Sequence, residues 1–308
     1  MPVKKIVISS GDPAGCGPRI TLEAIKELKN SPAIFYVIGD SKIFRKIPAY
    51  DRLSSQVNFI DVKTPGIDQV RSGQPCRIAG IAALNYLDVS LDVLKNEGSG
   101  RLVTAPLSKE AVSAVCPRFV GHTEYLADHF KSRGVEMMMV SERLKTVLFT
   151  RHVNLAKVSG LINRRALRRT ILMVRASLHK LFKVKNPRIV MVSFNPHAGR
   201  DTFLGREEKI MVAAAKGISG VLGPYPADTA FIPANLGRFD CFICPYHDQG
   251  MIAFKLLAIE NGVNLTLGLP IVRTSPAHGV AYDIMRSGTK PFFSSMSAAI
   301  RLAEQLKV

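Results

Sequence analysis

The sequence predicts an α/β fold with mostly parallel sheets flanked by helices. Three observations carry that expectation. Apolar, β-branched runs recur along the chain, and helical patterns alternate with them, as in a covered parallel sheet. The chain has 308 residues, 47% of them hydrophobic, enough for one large or two medium domains. Almost every apolar run ends in a cluster of Gly, Pro or His, where open α/β sheets place their ligands.

Taken in order, KKIVISSG is the first expected strand, and residues 18–29 form the helix behind it. AIFYVIGD, RLVTAPLS, EMMMVSE, KTVLFTRH, PRIVMVSFNPHAG and FDCFICPYHD are the further strands. Helical patterns cover residues 79–96, 123–133, 164–182 and 207–218. A polar loop spans roughly 64–74, and no repeat of 20 to 50 residues is visible. GDPAGCGP, TAPLSKE, VGHTE, TRHVN, NPHAGR, GPYPADT, YHDQG and LGLPIVRTS read as strand-end loops. Each alone is turn chemistry; eight together exceed what folding needs.

Composition narrows the function classes. No apolar run approaches the roughly 18 residues that cross a bilayer. The run Ile6 to Ile8 is too short for a signal-peptide core, so a cytoplasmic protein is expected, with no membrane partner. Five scattered cysteines argue against a disulfide framework. Cys241 and Cys244 form a C-x-x-C inside an apolar run, better read as buried packing than as zinc or redox chemistry. The net charge of +18 raises nucleic-acid binding as a distant alternative. The densest basic stretch, residues 163–188, nevertheless reads as an amphipathic helix with a solvated basic face. With 7% aromatic residues and no Trp, a base-stacking platform is not visible, and no nucleic-acid partner is expected.

The loops hold the residues with chemistry. GDPAGCGP opens a helix after the first strand, but it is not G-x-G-x-x-G and lacks a P-loop lysine. A tight turn and a ligand loop remain equal readings. Of seven histidines, His129 and His179 fall in helical patterns, and the other five fall in strand-end loops. Imidazole is a common metal ligand, and three protein ligands leave a coordination position for substrate. Spacing leaves open whether His152, His197 and His247 meet on one ion or stand apart as hydrogen-bonded loop residues. Arg273 and Lys255 could grip phosphate or carboxylate, or form surface salt bridges.

GDPAGCGP, GHTEYLA, NPHAG, GPYPADTAF, YHDQGMIAFK and GVNLTLGLPIVRTS together resemble the 4-hydroxythreonine-4-phosphate dehydrogenase family over nearly the whole chain. HGVAYDI also looks like the cofactor-binding run of isocitrate and isopropylmalate dehydrogenases, to which that family is related in fold. The resemblance implies a two-lobed fold of that kind. Residues 1–118 with 265–308 would form an NAD-side lobe, and 119–264 a metal-binding and dimerisation lobe. It implies one divalent metal per site (zinc, magnesium or cobalt) on His152, His197 and His247, with one ligand from the second subunit of a homodimer. Substrate-binding positions match His122, Thr123, Lys255, Asn264 and Arg273, and Asp228 is expected to line the site. NAD or NADP would lie near His278, Gly279 and Asp283. Asp248 and Lys109 are candidates for the proton acceptor.

The implied reaction is oxidation of 4-phosphohydroxy-L-threonine to a β-keto acid. That acid decarboxylates to 3-amino-2-oxopropyl phosphate, a step of pyridoxal phosphate synthesis. A metal on the alcohol oxygen eases loss of the hydroxyl proton, and the nicotinamide does the redox step. The main alternative is a relative acting on erythronate or threonate 4-phosphate; a metal-dependent hydrolase would leave HGVAYDI idle. The stretch from about 60 to 100 is shorter than the family's by roughly one or two elements. Cys16 and Arg19 stand where Ile and an acidic or other residue are more usual in the family. These departures bear on the substrate, not on the reaction class.

Overall fold

The computed structural model describes residues 3–50, 55–199 and 205–307. Its strands are β1 (Lys5–Ser9), β2 (Ile34–Gly39), β3 (Val57–Asp61), β4 (Arg101–Thr104), β5 (Glu136–Val140) and β6 (Lys145–Leu148). They continue as β7 (Ile189–Val192), β8 (Val221–Tyr225), β9 (Cys241–Cys244), β10 (Val263–Leu267) and β11 (Val272–Pro276). The chain divides into two compact units, one of Met1–Arg133 with Leu269–Leu306 and one of Gly134–Gly268. The division falls after Arg133 and Gly268, so the GHTE segment belongs to the first unit rather than to the metal-binding lobe expected from residue 119.

In the first unit the strand order is β3-β2-β1-β4-β11, parallel throughout. The chain leaves β1 for β2 on one side and returns through β4 on the other. This makes a topological switch point between the carboxyl ends of β1 and β4. The helices Gly17–Glu27, Arg77–Asn96 and Ser294–Gln305 bury one face each, among them Ile20, Leu22, Leu87 and Ile300. The segment LGLPIVRTS is not a strand-end loop: Val272–Pro276 is a fully buried strand beside β4. Its Thr274 hydroxyl donates to the Ala299 carbonyl of the covering helix at 2.8 Å. Two β-branched residues, Val272 and Thr274, in a strand buried at every position favour extended backbone.

The second unit runs β10-β5-β6-β9-β7-β8. β6, β9, β7 and β8 are parallel, while β5 pairs antiparallel with both β6 and β10. EMMMVSE is therefore followed by a hairpin and not by a helix, its turn closed by the Ser141 amide on the Leu144 carbonyl. The basic stretch forms the helix Arg164–Phe182, which buries Leu167, Ile171, Val174 and Leu178 and leaves Arg164, Arg165 and Arg169 exposed, while Arg168 donates to the Ala214 and Lys216 carbonyls. Leu172, on the same helix, is exposed. Cys241 and Cys244 are buried in β9, and burial pushes the Cys244 thiol up to about 12, so both are packing residues. Among the described residues no helix is long and apolar enough to cross a membrane.

The helix His247–Ala258 lies close over β6 and β9 because Gly250 faces them. A Cβ built there would stand 2.7 Å from Leu148 Cδ2, 2.9 Å from Thr146 Oγ1 and 3.1 Å from Cys244 Sγ. Replacing a helical Gly by Ala gains at most about 1 kcal/mol of propensity, whereas overpacking costs about 1–3 kcal/mol. Gly250→Ala is expected to destabilise the protein by about 1–2 kcal/mol in a urea titration. A stabilised variant would mean that the helix is free to lift.

Candidate functional site

Two groups of functional side chains form, one in each unit. In the second unit, β6, β9 and β7 are neighbours, and each is followed at its carboxyl end by a histidine: His152, His247 and His197. Thr150 extends the pairing of β6 with β9 beyond the strands. Its amide and its hydroxyl both donate to the Pro245 carbonyl, at 3.1 and 2.7 Å. The two chains thus stay together until the histidines emerge. The His152 and His247 ring centroids are 5.7 Å apart with a 40° tilt. Two imidazoles on one tetrahedral ion, each bound at about 2.0–2.1 Å, have centroids separated by about 5–6 Å. The pair therefore fits a shared divalent cation. His247 Nδ1 and Asp248 Oδ1 are 2.6 Å apart, which holds the ring and leaves Nε2 as the outward donor.

His197 ends the parallel series but does not complete a cluster within one chain. Among the described residues no group of three His, Cys, Asp or Glu is arranged to hold a metal. His197 is exposed in a turn where both it and Ala198 are left-handed, with φ of 54° and 56°. His152 is left-handed too, at φ 34°. Such backbone is uncommon outside glycine and concentrates at functional sites. Asp228 is exposed in the short helix Ala227–Ala230 after β8. Lys255 is half-buried two turns into the helix that His247 starts. Asn264 lies on β10 with Oδ1 buried and no hydrogen-bond partner among the described residues.

In the first unit, Arg273 is not a surface salt-bridge residue. It is 2% exposed on β11, and its Nη2 donates to Thr104 Oγ1 at 2.6 Å. Burial lowers its pKa to about 10, against the favourable charge of Glu124. It therefore remains a cation at neutral pH. His122 is the first residue of the helix His122–His129 rather than a loop residue, followed by the half-buried Thr123. Its Nε2 is buried without a hydrogen-bond partner among the described residues. Burial first, then the charges of Arg273 and Lys109, hold its pKa well below 6.5, so the ring is neutral. Lys109 starts the helix Lys109–Ser113, and a Cβ on Gly121 would lie 3.4 Å from its Cε. A buried guanidinium, a nearby ammonium and a buried imidazole nitrogen are chemically suited to an anion.

The glycines of GDPAGCGP serve the protein's own backbone. A Cβ on Gly11 would stand 2.2 Å from the Pro106 carbonyl oxygen, and one on Gly15 would stand 3.0 Å from that of Val280. This resolves the turn-or-ligand choice in favour of the turn. The Cys16 amide donates to the Val280 carbonyl at 2.9 Å, which binds the loop to the HGVAYDI segment. In that segment Gly279 faces open space, His278 Nδ1 is 3.0 Å from the Gly279 carbonyl, and Asp283 is exposed. An open glycine in an exposed, otherwise anchored loop fits the approach of a dinucleotide. Sequence reasoning missed the buried Asp12, which accepts a 2.5 Å hydrogen bond from Tyr282, and the buried Glu208 behind the His197 turn. An acid inside a glycine turn was a signal for Asp12. Glu208 looked like one more charge on a surface helix.

His122 supplies a pH test. Its folded pKa lies below the ordinary 6.5, so protons bind the unfolded chain first as pH falls. Its contribution to stability is complete above the unfolded value and is lost below it. Between pH 6.5 and about 5, the wild type should lose stability relative to His122→Asn by up to about 1.4 kcal/mol per pH unit. Parallel denaturation profiles for the two proteins would show that His122 titrates normally.

A family model described as pyridoxal phosphate biosynthetic protein PdxA matches residues 19–303. A 4-hydroxythreonine-4-phosphate dehydrogenase of Desulforapulum autotrophicum is 36% identical, covering 97% of this chain and 94% of its own. A protein of Oceanobacillus iheyensis provisionally named D-threonate 4-phosphate dehydrogenase is 34% identical, covering 97% of both chains. The crystal structure of the Klebsiella pneumoniae 4-hydroxythreonine-4-phosphate dehydrogenase superposes with a TM-score of 0.84 at 31% identity, covering 98% of this chain and 99% of that one.

Proposed function

The chain belongs to the pyridoxal phosphate biosynthetic protein PdxA family of dehydrogenases, and from that premise we propose that it oxidises 4-phosphohydroxy-L-threonine with NAD and a divalent metal. The observation that carries this reading is the His152–His247 pair at the spacing of two ligands on one cation, with His197 on the next parallel strand end. When bound, the cation polarises the alcohol and then the ketone oxygen, and the nicotinamide accepts hydride.

The chain's own residues do the rest. Arg273, His122 and Lys109 bind an anionic group of the substrate. The neutral His122 donates or accepts a hydrogen bond there without adding charge. Thr123, Lys255, Asn264 and Asp228 are further substrate-side groups. Asp248, tied to His247 Nδ1, orients that ring, and Lys109 as an ammonium holds the anion, so neither is assigned as the acceptor of the hydroxyl proton. NAD is held by the first unit near His278, Gly279 and Asp283. A second reading, oxidation of threonate or erythronate 4-phosphate, is favoured by the name of the Oceanobacillus relative.

NADH formation is expected with 4-phosphohydroxythreonine and to fall to background in EDTA, returning with zinc, magnesium or cobalt. Parallel assays with threonate and erythronate 4-phosphates, and with NADP, rank the substrates and cofactors. Metal-replete protein that turns over none of these acids would end the reading.

Homodimerisation is part of the proposal. The helix that begins with His247 carries Ile252 and Leu256 on an outward stripe continued by Ile259, exposed by 63%, 82% and 69%. A solvated helix face does not favour three large aliphatic residues at this spacing. A second copy of the chain is its occupant, and the third metal ligand comes from that copy. Leu256→Glu is expected to shift light-scattering mass from dimer to monomer and to abolish turnover. A fully active monomer would refute the shared site.

A further inference from the structure

We propose that Glu208 is the positioning residue that presents His197 to the cation. The proposal rests on the reading of His197 as a ligand. The turn after β7 holds two consecutive left-handed residues, His197 and Ala198, neither of them glycine. Such a conformation persists only where its surroundings over-determine it. Glu208 does this from the third position of the helix Arg206–Ala215, 5% exposed. Its Oε1 accepts the backbone amides of Phe194 and Asn195 at 2.9 and 2.8 Å. Its Oε2 accepts Asn195 Nδ2 at 2.9 Å. Gly199 closes the turn at φ +64°, and a Cβ there would stand 2.9 Å from Glu208 Oε2. The glycine therefore lets the carboxylate in.

Among the described residues Glu208 has no Lys, Arg or His as an ion-pair partner. Its charge is met by N–H groups of the turn. A residue needed only for helix packing would be apolar at this depth, and one needed only for the helix dipole would be exposed. The base of the turn is tied to the neighbouring ligand segment, where Gln249 Nε2 donates to the Ser193 carbonyl at 2.7 Å. His197 is left exposed at the apex, with the backbone below it fixed.

The test titrates Co²⁺ into metal-free full-length protein, followed by its visible absorption and by chelator competition. Wild type is compared with His197→Ala, Glu208→Ala, Glu208→Gln and Asn195→Ala. Loss of an outer-shell partner weakens metal affinity by about 10- to 100-fold, the effect expected for Glu208→Ala. Glu208→Gln keeps an oxygen for the two amides and is expected within about 3-fold of wild type. A merely structural role would lower the melting temperature of the metal-free protein and leave the Co²⁺ affinity of the folded fraction unchanged. That result overturns the proposal. Should Glu208→Ala not fold, Asn195→Ala carries the test, with about 3- to 10-fold weaker binding expected and unchanged binding against it. Unchanged Co²⁺ affinity in His197→Ala would instead overturn the ligand reading itself.

Discussion

The double hydrogen bond from Thr150 to the Pro245 carbonyl is the contact on which the histidine pair depends. Parallel strands diverge where their ladder ends, because nothing then holds the two backbones at sheet spacing. Here the ladder of β6 and β9 continues past Leu148 and Cys244 through Phe149, whose amide reaches the Cys244 carbonyl, and then through Thr150. His152 and His247 therefore leave the sheet as neighbours. Gly250 reinforces this by letting the helix after His247 press onto the same two strands. The spacing of the rings is set by backbone, and backbone tolerates little drift.

The first unit uses burial rather than backbone pairing. Arg273 is held inside the sheet by Thr104, a neutral hydroxyl that fixes direction without neutralising charge. The cost of burying this cation appears as its lowered pKa, and its charge adds to the burial that keeps His122 neutral. The buried Arg273 guanidinium and the exposed Lys109 ammonium are easier to place beside His122 when that ring carries no charge. An incoming phosphate or carboxylate would meet one fixed guanidinium, one ammonium and a ring nitrogen. The same low dielectric that makes the Arg273 cation costly makes an anion beside it strongly held.

Much of this was legible in the sequence, and the limits are physical. The apolar runs of β1, β2, β4, β7 and β9 were plain because parallel strands are buried on both faces. The helix Arg164–Phe182 was plain because half its surface is solvated. The placement of histidines after β6, β7 and β9 was readable, but their adjacency was not, since strand order is a tertiary fact. The β5–β6 hairpin was hidden because its turn, SERL, carries no glycine or proline. β11 was taken for a loop because proline and polar residues surround Val272 to Pro276, although every residue there is buried. The burial of Arg273 and Glu208 is not legible in the sequence for one reason: charged residues are rarely buried, and nothing in their neighbours' identities reveals the partners that make it tolerable.

The left-handed histidines show how the parts are balanced. A non-glycine residue in that conformation costs about 1–2 kcal/mol, and His152, His197 and Ala198 all adopt it. Hydrogen bonds to a charged group contribute about 1.5–3 kcal/mol each, and Glu208 makes three to the turn that bears His197. One buried carboxylate is thus of the right size to offset the strain of that turn. At His152 the strain is opposed by the ladder continued through Thr150. Histidines set in strained but over-determined backbone keep their positions, and the exposure of His152 and His197 leaves both within reach of solvent species. Rigidity comes from buried polar contacts below the histidines, so the imidazoles themselves remain available for chemistry.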